Sequence, residues 1–197
     1  MDGFEKRKQQ KKEDILNASL TLFKKYGVQR VSVTEIAKKA NVSQVTIYNY
    51  FGSKNNLAHE VIIFYVDQVW EGYEQLFDSN APFLDKIKQV IFDKTMEANH
   101  INQEFFEYFM KEYTDEGGNN YIEEMYTKKA LPRFMDLFKE GREQGYINPN
   151  ISNEAILLYI QIFKEYMQKG DVTKEILPFT EELTKLFFYG IAGKEKD

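Results

Sequence analysis

Three helix-start signals crowd into residues 32–53 of this chain, at Ser32, Ser43 and Ser53. A serine before a helical run accepts a hydrogen bond from an amide two or three residues on, so each marks a place where a helix can begin. Three starts in so short a span leave room only for two short helices joined by tight turns, ahead of a third helix. The first start reads SVTE: Ser32 can cap the amide of residue 35, while Glu35 reaches back to the amide of residue 32, a reciprocal capping box. The helix it opens is expected over 33–40, burying Ile36, Ala37 and Ala40. Asn41 suits the left-handed backbone of a turn between helices. Ser43 then opens a helix from Gln44 to about Tyr50, closed by Phe51 and Gly52, and Ser53 opens a long one containing Leu57, Val61, Tyr65 and Val69.

The flanking sequence has the same period. Ile15, Ala18, Ser19, Leu22, Phe23 and Tyr26 recur on one helical face, with Gly27 as its stop. Further helices are expected over 82–99, 103–114, 120–144, 153–169 and roughly 178–190, with breaks at DEGGNN (115–120) and GYINPN (145–150). Pro132 should kink the long one, because an interior proline loses a hydrogen bond, and Pro178 suits a first helical position. No segment sustains period-two alternation. The expected fold is all-α, about nine helices, with a helix-turn-helix domain over 1–52 and a larger helical domain over 53–197.

Charge separates the two ends. Residues 1–54 hold 11 Lys/Arg against 5 Asp/Glu; residues 55–197 hold 15 against 26. From Ile36 to His59 there are 24 residues without a carboxylate, where the chain-wide frequency would give about four. At ~100° per residue, with Ile47 facing inward, Val45 and Asn49 point outward, Thr46 and Tyr48 flank them, and Gln44 sits at the tip. Such a helix, acid-free and polar outside, fits the major groove of B-DNA. The amide of Gln44 can read adenine, and Val45 can pack on a thymine methyl. Tyr48, Tyr50, Thr34 and Lys54 lie where phosphates would pass, the last two in helical first turns that favour anions. Glu35 reads as a cap, and the basic residues Lys6, Arg7, Lys8, Lys11 and Lys12 as a solvated, frayed arm rather than a minor-groove reader.

These residues also resemble a family. The run TEIAKKANVSQVTIYNYFGSKNNL is similar to the DNA-binding segment of the TetR family of bacterial repressors, with Thr46-Ile47-Tyr48-Asn49-Tyr50-Phe51 and Ser53-Lys54 matching position by position. Asn41 departs from the family's commoner glycine but tolerates the same backbone. The match runs from about Ile15 to Val61, and EQGYINPNISNEA (143–155) is similar to the loop before the family's penultimate helix. The resemblance implies a homodimeric transcriptional regulator, a repressor that binds a palindromic operator. In such proteins a small-molecule effector held in the C-terminal domain changes the spacing of the two reading heads. The implied DNA contacts are Thr34, Ser43, Gln44, Val45, Thr46, Tyr48, Asn49, Tyr50 and Lys54.

Dimerisation has its own sequence argument. AILLYIQIF (155–163) is apolar all round, and LTKLFFYGI (183–191) is similar, so both need cover on two sides. Leu157, Ile160, Phe163, Leu183 and Phe187 are the expected interface, meeting their copies across a two-fold axis that would supply two half-sites. The aromatic-rich middle should be mostly core, with Trp70, Glu97, His100, Phe105, Phe109 and Tyr126 as candidates to line an effector cavity.

Other classes find little support. His59-Glu60 begins like a zinc-protease helix, but Ile63 stands where the second histidine is needed. Glu97-x-x-His100 resembles half of a di-iron site without its partner motif. No P-loop, G-x-G-x-x-G or G-x-S-x-G occurs. Neither a cofactor nor a metal is expected, nor any catalytic residue. The absence of cysteine, of an N-terminal apolar run and of a spanning segment points to a soluble, cytoplasmic protein with no membrane partner. A helical protein–protein adaptor is the main alternative, and a helical enzyme the lesser one; an adaptor would not need an acid-free face.

Overall fold

The computed structural model describes residues 3–114, 121–167 and 176–192, in which the regular elements are all helical and no strand occurs. The elements are α1 (Gly3–Tyr26), α2 (Val33–Lys39), α3 (Gln44–Phe51), α4 (Lys54–Asp78), α5 (Phe83–His100), α6 (Gln103–Thr114), α7 (Tyr121–Met125), a π-helical turn (Tyr126–Ala130), α8 (Leu131–Glu143), α9 (Asn153–Met167), a 3₁₀ turn (Leu177–Phe179) and α10 (Thr180–Ala192). Counting 121–143 as one continuous helix, the described residues hold nine, as expected. The DEGGNN segment lies outside the described residues.

The chain divides into two compact units, Met1–Val69 with His100–Asp115, and Trp70–Asn99 with Glu116–Asp197. In the first, Ile15, Phe23, Ile36, Ile47, Leu57, Val61 and Phe105 are fully or almost fully buried. They come from α1, α2, α3, α4 and α6 in turn, so the two short helices are held by a core they could not build alone. Truncating a residue packed like Phe23 would cost about 3–5 kcal/mol. Tyr65 meets Phe105 and Phe109 edge-on at 5.9 and 6.0 Å, and His59 Nδ1 lies 2.6 Å from Glu112 Oε2; both contacts fasten α4 to α6.

The second unit is an aromatic core. Tyr73, Phe77, Phe134 and Phe138 form a chain of ring contacts, which Phe187 and Phe188 of α10 continue. Lys86, almost fully buried, donates to the Phe77 carbonyl at 3.1 Å and to Glu140 at 3.2 Å, so its charge is both paired and used to close α4.

Two expectations need correction, and the structure gives a third its local form. Residues 6–12 are not a frayed arm: α1 is helical from Gly3, with Gln9 bonded to Glu13 and Gln10 to Asp14, each four residues on. Pro132, expected to kink its helix, follows a turn of π pitch in which the Leu131 amide reaches back to Tyr126, while the helix continues on both sides. That wider turn moves the preceding carbonyls clear of the proline ring. Pro178 sits inside the 3₁₀ turn, two residues before α10, rather than opening that helix.

Candidate nucleic-acid interface

Two caps and one turn fix the geometry of α3. Ser32 and Glu35 form the predicted box: the Glu35 amide donates to Ser32 Oγ at 3.2 Å, and the Ser32 amide to Glu35 Oε2 at 2.8 Å. The hydroxyl and amide of Ser32 hold the Glu35 carboxyl below its usual range, so this carboxylate is spent on the cap. Asn41 takes φ +53°, the one positive φ at a non-glycine among the described residues. It reverses the chain between α2 and α3. Ser43 then accepts from the Thr46 amide at 3.0 Å and starts α3.

The rotation inferred from sequence holds. Ile47 and Phe51 are buried, whereas Val45 is 67% exposed and Tyr48 47%. Gln44 and Asn49 are also exposed, and Thr46 and Tyr50 half-buried. Gln44 Nε2 donates to Thr34 Oγ1 at 3.0 Å, tying the tip of α3 to the first turn of α2. One N–H and the carbonyl oxygen of that amide stay available, the pair an adenine edge requires. Thr34 and Ser43 are exposed, and Lys54 Nζ donates to the Gln29 carbonyl at 3.2 Å. All nine expected DNA contacts therefore lie in the first unit.

Sequence reasoning missed what supports Lys54. Glu104, on α6, accepts from the Gln29 amide at 2.6 Å, and the Asn102 amide donates to the Lys24 carbonyl at 2.8 Å. The start of α6 thus grips the loop whose carbonyl holds Lys54. Gly27 makes this possible: it has φ +85°, and any Cβ there would run into the Glu104 carboxylate. No sequence signal links residues 75 positions apart. Gly27→Ala should destabilise the chain by roughly 1–2 kcal/mol from the left-handed backbone alone, with more from displacing Glu104. In a Glu104→Ala background the glycine substitution should cost measurably less, read from urea midpoints as a double-mutant cycle.

The remaining expected residues scatter. Of the six effector candidates, Trp70 and Tyr126 belong to the second unit, and His100, Phe105 and Phe109 to the first. The Glu97 side chain lies outside the described residues. Phe105 is fully buried against Tyr65, while His100 is exposed at the end of α5. Trp70 is 6% exposed, and its buried indole N–H has no hydrogen-bond partner. Burial, then the charge of Glu123, pushes the Tyr126 hydroxyl above its ordinary range, so it stays a neutral donor.

The five expected interface residues, Leu157, Ile160, Phe163, Leu183 and Phe187, are each half-buried. The outward faces belong to their neighbours: Leu158, Tyr159, Ile162 and Tyr166 on α9, and Leu186 and Tyr189 on α10. Tyr159 meets Phe187 at 5.7 Å, so the two helices are adjacent. Among the described residues no group of His, Asp and Glu could hold a metal ion, and no helix is long and apolar enough to cross a membrane.

Comparison with known proteins agrees with this geometry. A sequence model described as bacterial regulatory proteins, tetR family, matches residues 15–61. A second, the tetracyclin repressor-like C-terminal domain, matches residues 81–167. The HTH-type transcriptional repressor KstR2 of Mycobacterium tuberculosis (strain ATCC 25618 / H37Rv) is 23% identical over 141 residues, 70% of each chain. Among solved structures, the fatty acid degradation regulator FadR from Bacillus halodurans has a TM-score of 0.60 at 17% identity, covering 93% of this chain and 99% of its own. FadR from Bacillus subtilis, solved in complex with stearoyl-CoA, has a TM-score of 0.57 at 18% identity with the same coverage.

Proposed function

This chain belongs to the TetR family of DNA-binding transcriptional regulators, not to an enzyme family, and from that premise we propose that it is a homodimeric repressor whose operator is palindromic and whose release is triggered by a small molecule. Residues 1–52 form the reading head and 53–197 carry the dimer and effector surfaces. The observation that carries the reading is the outward face of α3, where Gln44, Val45, Tyr48 and Asn49 stand exposed on a doubly capped frame without a carboxylate. A surface of that shape and charge complements a groove between two phosphate strands. Tyr48, Tyr50, Thr34 and Lys54 position the head on phosphates, while Gln44, Val45, Thr46 and Asn49 face base edges, with Ser43 at the entry.

The dimer reading is supported by the exposed apolar faces of α9 and α10, which water would leave uncovered in a monomer. The effector reading is supported by Trp70. An indole N–H buried without an acceptor is costly, and a mainly apolar ligand carrying one acceptor oxygen would satisfy it. The stearoyl-CoA in the Bacillus subtilis FadR structure has such a part in its acyl chain and thioester carbonyl, joined to a polar, charged CoA moiety. Trp70 is the chain's one tryptophan, so its fluorescence reports candidate effectors directly.

Gel-shift titration in rising salt tests the reading, since groove binding weakens steeply as phosphate contacts displace counterions. Gln44→Ala should relax base preference at one operator position, at about 1–3 kcal/mol on the preferred site. Tyr48→Phe and Lys54→Ala should instead weaken binding on every sequence. Equal losses on specific and random DNA for Gln44→Ala would defeat its assignment.

A further inference from the structure

The cations at the start of α1 form a charged cluster that the α3 face does not use. Between Gly3 and Lys12 lie five cations and a single carboxylate, Glu5. The nearest acids downstream, Glu13 and Asp14, bond to the amides of Gln9 and Gln10. Lys12 pairs with Glu60 at 3.1 Å and lies over the Phe51 ring. Lys6, Arg7, Lys8 and Lys11 are exposed and make no ion pair among the described residues. This end of α1 is not remote from the reading helix: Tyr50 donates its hydroxyl to the Lys8 carbonyl at 3.3 Å.

From this we infer that the first turns of α1 are a second phosphate-binding surface, continuous with the α3 face and seated on the DNA backbone beside it. The inference rests on the DNA-binding reading and extends the footprint from α3 onto α1. Helical rotation divides the cations. With Lys8 as origin and ~100° per residue, Lys12 and Lys11 lie on its side, Arg7 flanks it, and Lys6 points away. Lys12 is already paired, so Arg7, Lys8 and Lys11 are the phosphate contacts. Lys6 serves as a charge-matched control. The contacts carry no base information, because an exposed cation on a rigid helix meets phosphate equally beside any sequence.

The test is the salt dependence of duplex binding by the full chain. The combined variant R7Q/K8Q/K11Q should leave far-ultraviolet circular dichroism unchanged, since glutamine is as good a helix former as lysine or arginine. Its slope of log affinity against log salt should be shallower by about two to three, at ~0.9 for each phosphate no longer neutralised. The affinity loss should be the same on preferred and random DNA. Lys11→Gln alone should change the slope by about one, and Lys6→Gln by well under half of that. If the wild type binds with a steep slope and the triple variant keeps it, the surface on α1 is wrong while the reading head stands. Equal effects of Lys6→Gln and Lys11→Gln would also overturn it, since general charge would then suffice. A wild type that binds no duplex at any salt removes both proposals.

Discussion

Val45→Glu should weaken DNA binding by about a hundredfold or more while leaving the fold intact or slightly firmer. Val45 is 67% exposed, so its loss leaves no cavity. It is the second residue of α3, and a carboxylate there faces the positive end of the helix, worth a few tenths of a kcal/mol in its favour. Against duplex DNA the sign reverses. The same carboxylate enters a groove walled by phosphates, where like-charge juxtaposition costs several kcal/mol. A loss of about 3 kcal/mol is roughly a hundredfold in affinity. Val45→Ala, which removes only the packing against a thymine methyl, should lose far less. Thermal unfolding and gel shift together read the two opposite effects. A helix used to dock a protein partner would show no such dependence on charge sign at this position.

Leu186→Glu is the second large effect. Leu186 is 66% exposed on α10, beside the exposed face of α9, so the isolated chain loses little by the change. In a two-fold dimer every interface residue occurs twice, and the substitution brings two unpaired carboxylates into an apolar patch. The dimer dissociation constant should rise by about two orders of magnitude or more. Equilibrium sedimentation reads it. Ile162→Glu on α9 should act likewise, and operator affinity should fall with dimer population while contacts to a half-site persist. A dimer that survives both changes would move the interface elsewhere.

The reading head was almost wholly legible because its signals are local. Ser32, Ser43, Asn41 and Ser53 each act on amides or backbone angles within a few residues, so the caps and the turn appear in the sequence as they do in space. The inward placement of Ile47 and Phe51 followed from helical period alone. What sequence could not reach is contact between distant segments. Glu104 holding Gln29 joins α6 to the loop between α1 and α2, which no local pattern connects. The helical start of α1 had a local signal, Gln9 and Gln10 each four residues before an acid, but the density of charge there obscured it. On α9 and α10, a sequence apolar all round marks burial on both sides without saying which residues face the chain's own core. Ile160 and Phe187 lie half-buried, and Ile162 and Leu186 point out.

Methylation protection on a selected high-affinity duplex tests most directly whether α3 enters the major groove. Dimethyl sulfate attacks guanine N7 in the major groove and adenine N3 in the minor groove. Bound protein should protect guanine N7 in two clusters related by the operator's symmetry, about one helical turn or a multiple apart, and Val45→Glu should erase both. Bound protein that leaves every guanine N7 reactive, or that protects adenine N3 alone, would contradict the placement of this helix and the function built upon it.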